Sequence, residues 1–118
     1  MRNVLYFNPD FEQVDKRKHL IYLSKSGFTV LRVFDEKKLQ EVFENTKFFC
    51  AIILDRQYLT LLNLHNKTLP LIVLEGESSY IDITCNNIEN PIFFRAMDEP
   101  LDTLLETVRL TERMVKLE

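Results

Sequence analysis

Three acids and one base stand where apolar runs end, and they are the side chains of this sequence best placed to do chemistry. Asp55 closes the run Phe48-Phe49-Cys50-Ala51-Ile52-Ile53-Leu54, and Asp10 follows Asn3-Val4-Leu5-Tyr6-Phe7 after Asn8 and Pro9. Glu75 follows Leu69 to Leu74, and Arg95 follows Ile92-Phe93-Phe94. A short continuous apolar run ended by a charge reads as a strand buried on both faces that delivers one ionised group to the edge of a sheet. In open α/β sheets that carboxyl edge is where ligands bind and reactions occur. Asp10, Asp55, Glu75 and Arg95 could together hold a small polar ligand there. They include no nucleophile beside a base, so the expectation is a non-enzyme.

The other reactive residue types are less promising. Cys50 lies inside an apolar run and reads as a small buried hydrophobe. Cys85 lies in a polar stretch with nothing beside it to activate a thiolate, so a disulfide-free cytoplasmic protein is expected. His19 falls on a charged helix turn and His65 near a helix end, and neither has a second ligand at metal spacing. The whole chain holds two glycines, which is too few for a glycine-rich phosphate loop or the dinucleotide fingerprint. A net charge of −3 gives no reason to expect nucleic acid as a partner, and Lys16-Arg17-Lys18 reads as a solvated helix face. No apolar run approaches the ~20 residues needed to cross a bilayer, so no membrane association is expected.

The elements that must carry these residues can be read from punctuation and period. Asn3 to Phe7 is a first strand, and Pro9 prevents its ladder from continuing. Asp10 can cap a helix that starts near Phe11, carries Val14, Leu20, Ile21 and Leu23, and closes at Ser26-Gly27. Thr29 to Phe34 is a second strand, and Asp35 caps a second helix with Leu39, Val42 and Phe43 on one face. The strand ending at Asp55 follows, then a helical stripe of Tyr58, Leu61, Leu62 and His65. Leu69 to Leu74 is a fourth strand. Gly76, Ser78, Ser79 and Asn86-Asn87 argue for loop from Glu75 to Asn90, leaving the fourth helix short or absent. Ile92 to Phe94 is a fifth strand. Pro100 opens a last helix lined by Leu101, Leu104, Leu105, Val108 and Val115. Strands alternating with helices predict a single α/β domain over residues 1–118: a flavodoxin-like, doubly wound parallel sheet of five strands in order 2-1-3-4-5. The last helix reaches Glu118 without a cap residue, which suggests a domain of a longer protein.

This pattern resembles the receiver domain of two-component response regulators along the whole chain. The resemblance rests on NVLYF for the first strand, Gly27-Phe28-Thr29-Val30 before the second, CAIILD for the third and PLIVL for the fourth. The segment IFFRAMDEPLDTLLETV resembles the fifth strand and last helix. In that family the aspartate ending the third strand accepts a phosphoryl group, and Asp55 holds the matching position. The resemblance further implies an acidic pair for Mg²⁺ after the first strand, where this chain has Asn8 and Pro9, with Asp10 one residue late. It implies a Ser or Thr at the end of the fourth strand, where Glu75 aligns. The family's lysine and proline after the fifth strand align with Arg95 and Ala96, and its switching aromatic aligns with Ile92. Phe93 is adjacent but belongs to the other face of the strand. The interval from Asp55 to Glu75 is 20 residues, shorter than the family's by roughly two helical turns.

The departures imply a degenerate receiver, or pseudo-receiver. With Asp55 and Glu75 ~4 Å apart at an effective dielectric of ~20, their repulsion is about 4 kcal/mol. A phosphoryl group would add to it, and only Arg95 could offset it. Arg95 is therefore expected to pair with Asp55, Glu75 or both. The expected function is a phosphorylation-independent protein-interaction or signalling module with no cofactor. Partners, including a second copy of the chain, would meet the face formed by the fourth helix, fifth strand and last helix. Tyr80 and Ile81 are candidate anchors there. The alternative is a phospho-accepting receiver modified on Asp55, with Mg²⁺ held in a rearranged site by Asp10 and Asp55.

Overall fold

A computed structural model describes residues 3–7, 14–33, 35, 37–38, 41, 49–55, 69–75, 89–96 and 99–116. Five parallel strands form one sheet: β1 (Asn3–Phe7), β2 (Thr29–Val33), β3 (Ala51–Asp55), β4 (Leu71–Glu75) and β5 (Ile92–Ala96). Their spatial order is β2-β1-β3-β4-β5. Two helices are described from end to end, α1 (Val14–Lys25) and α2 (Leu101–Lys116). The chain thus has the flavodoxin-like α/β architecture that its alternating runs predict, with β3 at the centre. The expected helix after Asp35 is described at Lys37, Lys38 and Glu41, and its cap is in place: the Lys38 N–H donates to the Asp35 carboxylate at 2.7 Å. Leu39, Val42, Phe43, the expected helix around Tyr58–His65 and the expected loop with a weak fourth helix lie outside the described residues. So do Asn8, Pro9, Asp10, Tyr80, Ile81 and Cys85.

Strand alternation divides the core into two layers, one on each face of the sheet. Leu5, Phe7, Val33, Phe49, Ile52, Leu54, Leu69, Leu71 and Val73 pack on one face, with Ile92 and Phe94 against them. Val4, Tyr6, Ala51, Ile53, Ile72 and Leu74 point to the other, where Leu23 of α1 and Leu104, Leu105 and Val108 of α2 cover them. The three central strands are buried on both faces, which is why their sequences are continuous apolar runs rather than alternating ones.

The strand ends differ slightly from expectation. β3 begins at Ala51, although Phe49 and Cys50 are already buried and the Cys50 N–H donates to the Asn3 carbonyl at 2.9 Å. β4 begins after Pro70, which has no N–H to give the ladder. Pro70 contributes its carbonyl instead, accepting from the Ile52 N–H at 3.1 Å. β5 runs two residues beyond Phe94, so Arg95 is a strand residue rather than the first residue past the strand. The Ala96 N–H donates to the Glu99 carboxylate at 2.8 Å, tying the end of β5 to the turn that starts α2.

α1 ends as the sequence predicts. Gly27 has φ 97°, the Phe28 N–H donates to the Leu23 carbonyl, and the Gly27 N–H to that of Ser24. These are the paired bonds of a Schellman closure, and only glycine enters that left-handed position without a Cβ penalty. Phe28 then packs with Leu23 in the same core layer. Of the apolar residues expected along α1, Leu20 and Leu23 pack on the sheet and Ile21 does not. His19 is 2% exposed and Ile21 is 55% exposed. His19 and Leu23 are four residues apart and share the buried stripe, which places Ile21 off it.

Candidate functional site

The register builds the carboxyl edge of the sheet row by row. Asp55 of β3 pairs with Leu74 of β4, and Leu74 pairs with Arg95 of β5. Asp55 shares the alternation of Ala51 and Ile53, and Arg95 that of Phe93, so both belong to the face covered by α1 and α2. With strands ~4.8 Å apart, the backbones of Asp55 and Arg95 are roughly 10 Å apart, with the buried Leu74 side chain between them. The row is therefore acid, aliphatic, base. Glu75 sits one step further along β4, in register with Ala96. Leu74 thus lies in line with Asp55, while Glu75 ends β4 as its place in the sequence implies. The repulsion expected between Asp55 and Glu75 is not imposed by the register.

Arg95 shows no pairing with Asp55 among the described residues, and the Glu75 side chain, its other expected partner, lies outside them. Arg95 Nε donates to Thr107 Oγ1 of α2 at 2.8 Å, and its Nη1 donates to the Phe94 carbonyl at 2.9 Å. The physical reason is proximity. β4 and the Leu74 side chain separate the two charges, whereas Thr107 of α2 is within reach of Arg95 and offers a hydroxyl. Thr107 Oγ1 in turn donates to the Thr103 carbonyl at 2.9 Å, back-bonding within its own helix. Arg95 thus serves as a strut between β5 and α2. Ile92 packs with Phe94 in one core layer and Phe93 in the opposite one, as the alternation predicts.

On the other side of Asp55 the same face carries two further polar side chains, Tyr6 and Arg32, which no motif in the sequence marks. Tyr6 pairs in register with Ile53 of β3 and with Arg32 of β2. Its ring is 1% exposed, and its hydroxyl has no hydrogen-bond partner among the described residues. Burial pushes the phenol well above its ordinary value, the negative charge of Asp55 pushes it further, and Arg32 partly opposes both. Arg32, Tyr6 and Asp55 therefore form one electrostatically linked group at this edge, with a neutral phenol between a base and an acid. A signal was present in the sequence. Tyr6 and Arg32 put a polar atom into the strand runs NVLYF and TVLRV, and alternation with Val4 and Val30 assigns both to one face.

Further polar contacts join α2 to the core and to α1. Thr111 donates to the Val108 carbonyl at 2.7 Å and lies 4.0 Å from Cys50 Sγ. Burial raises the Cys50 thiol above its ordinary range, which makes it a packed hydrophobe rather than a nucleophile. The Tyr22 hydroxyl donates to the Asp102 carboxylate and joins α1 to α2. Among the described residues, no helix is long and apolar enough to cross a membrane.

Comparison with known proteins agrees with this architecture. No protein-family model matches the sequence, and no curated protein matches it in sequence. Among solved structures, the chain is similar to the constitutive lysine decarboxylase of E. coli, with a TM-score of 0.69 and 15% identity over 98% of this chain. It is also similar to a lysine decarboxylase of Francisella novicida, with a TM-score of 0.64 and 21% identity over 93% of this chain. The chain spans 17% of the length of each of these enzymes. At such identities the likeness is one of fold.

Proposed function

We propose that this chain is a receiver-like domain that works as a phosphorylation-independent protein-interaction or signalling module. The observation that carries the reading is the row Asp55–Leu74–Arg95, with Arg95 held by Thr107. Phosphoryl transfer to a carboxylate requires donors and cations aimed at the oxygens where charge accumulates. In line with Asp55, Leu74 offers no donor. Arg95 directs its guanidinium at a helix hydroxyl and a backbone carbonyl. Tyr6 is a buried neutral donor next to Asp55, and it carries no charge with which to balance a phosphoryl dianion. The similarity to a segment making up 17% of two longer enzyme chains also favours a fold used as a module.

The test is incubation of the chain with acetyl phosphate and Mg²⁺, followed by intact mass measurement on wild type and Asp55→Asn. The expected result is no added phosphoryl mass on either protein. Phosphorylation of wild type that disappears in Asp55→Asn would establish the phospho-accepting alternative instead.

A further inference from the structure

On the flank of the sheet, α1 and the outermost strand β2 leave a groove of about 330 Å³ between them. It is lined by Leu20, Ile21, Ser24, Lys25, Val30 and Arg32. This volume lies at the small end of the ~300–1,000 Å³ typical of ligand pockets, enough for one or two side chains. Three of its walls are aliphatic, and Ile21 is left exposed at its rim. Lys18 and Lys25 are both exposed. They lie three residues before and four residues after Ile21, so all three are neighbours on the surface of α1. Among the described residues, no acidic side chain lines the groove. The whole chain carries a net charge of −3, so a cationic, apolar depression runs against its average surface. Arg32 has partners within the protein, and the basic character of the rim rests on Lys18 and Lys25.

We propose that this groove docks an acidic segment of a partner protein. One aliphatic or aromatic side chain of that segment enters over Leu20, Ile21 and Val30, and its carboxylates face Lys18 and Lys25. The inference rests on the reading of the chain as an interaction module and gives that module a surface on α1 and β2, distinct from α2 and β5. Charge complementarity selects the partner: rim lysines speed encounter with an anionic segment and discriminate against a basic one. Exposed ion pairs contribute little each, so most of the affinity comes from the inserted apolar side chain. The shape selects a peptide over a membrane. A depression between a helix and a strand accepts a protruding side chain, whereas a planar headgroup layer cannot follow its floor.

The experiment is an amide-shift titration of the isotope-labelled chain with three probes. These are a short synthetic peptide of Asp and Glu around a central Leu-Phe, the same peptide with Lys for every acid, and vesicles containing phosphatidylserine. The acidic peptide is expected to give saturable shifts confined to residues 18–25 and 29–32. Its binding should weaken roughly threefold or more on raising salt from about 0.05 to 0.3 M. Ile21→Asp should abolish the shifts and Lys25→Glu should weaken the binding severalfold, with unchanged β3 and β4 resonances showing that the fold persists. Absence of shifts at those residues, an equal response to the basic peptide, or binding to vesicles instead of the acidic peptide would each overturn the proposal. Shifts concentrated on α2 and β5 would also overturn the groove while leaving the module reading in place.

Discussion

Replacing Tyr6 by Phe removes one oxygen from the group around Asp55 and should make the protein more stable. The ring stays where β1 places it, 1% exposed and packed with Ile53 and Leu74 in one core layer. The hydroxyl is buried with no partner among the described residues, and such a group costs about 1–3 kcal/mol in lost hydration. The space vacated by one oxygen, at ~24 cal/mol per Å³, returns only a few tenths of a kcal/mol of cavity cost. The net gain is about 1 kcal/mol, or roughly 3–5 °C in melting temperature for a domain of this size. The pH dependence gives a second handle. The folded state raises the Tyr6 phenol above its ordinary value of 10.0. Below that pH both folded and unfolded chains hold the proton, and the residue contributes no pH dependence. Above it the unfolded chain releases the proton while the folded chain keeps it, so wild-type stability falls as pH rises. Tyr6→Phe lacks this loss, and its advantage should therefore widen above about pH 10. Urea denaturation followed by circular dichroism, at neutral pH and again above pH 10, measures both effects. A variant less stable than wild type by 1 kcal/mol or more, or an advantage that shrinks with rising pH, would refute the reasoning.

Other consequences follow from single contacts. Thr107→Val keeps the shape of the side chain but leaves Arg95 Nε without its acceptor, and should cost about 1–2 kcal/mol in urea denaturation. Gly27→Ala places a Cβ at φ 97° and should cost about 1–2 kcal/mol, read as a lower urea midpoint. Because burial raises the Cys50 thiol above its ordinary pKa, its thiolate is scarcer at mildly alkaline pH than that of an exposed cysteine. Cys50 should resist a thiol reagent in native buffer and react only as the protein opens in denaturant, with the modified peptide identified by mass.

The topology was legible because a central parallel strand must be apolar on both faces, and four of the runs are compact enough to be unambiguous. β5 was read short because Arg95 looks like a terminator, yet its guanidinium leaves the sheet for Thr107 while its backbone stays in register. Ile21 of α1 shows a related effect. Ile21 is more apolar than His19, but packing follows angular position on the helix, and His19 is in phase with Leu23. The edge chemistry was the least legible part. Asp55 stood out as the acid ending an apolar run, but which residue lies beside it depends on strand register. A shift of one residue exchanges Glu75 for Leu74, and no composition rule fixes that shift. Arg32 and Tyr6 carry no motif because each sits singly in an apolar strand, where its neighbours suggest only core.

The central claim is that the sheet's edge keeps the Asp55 carboxylate while placing Leu74 beside it and committing Arg95 to α2. A titration with Mg²⁺ and beryllofluoride, a mimic of a phosphoryl group on aspartate, tests this most directly when followed by amide shifts on wild type and Asp55→Asn. The account predicts no saturable change at Asp55, Leu74 or Arg95 in either protein. Saturable, Mg²⁺-dependent shifts at those three residues in wild type, lost in Asp55→Asn, would contradict it.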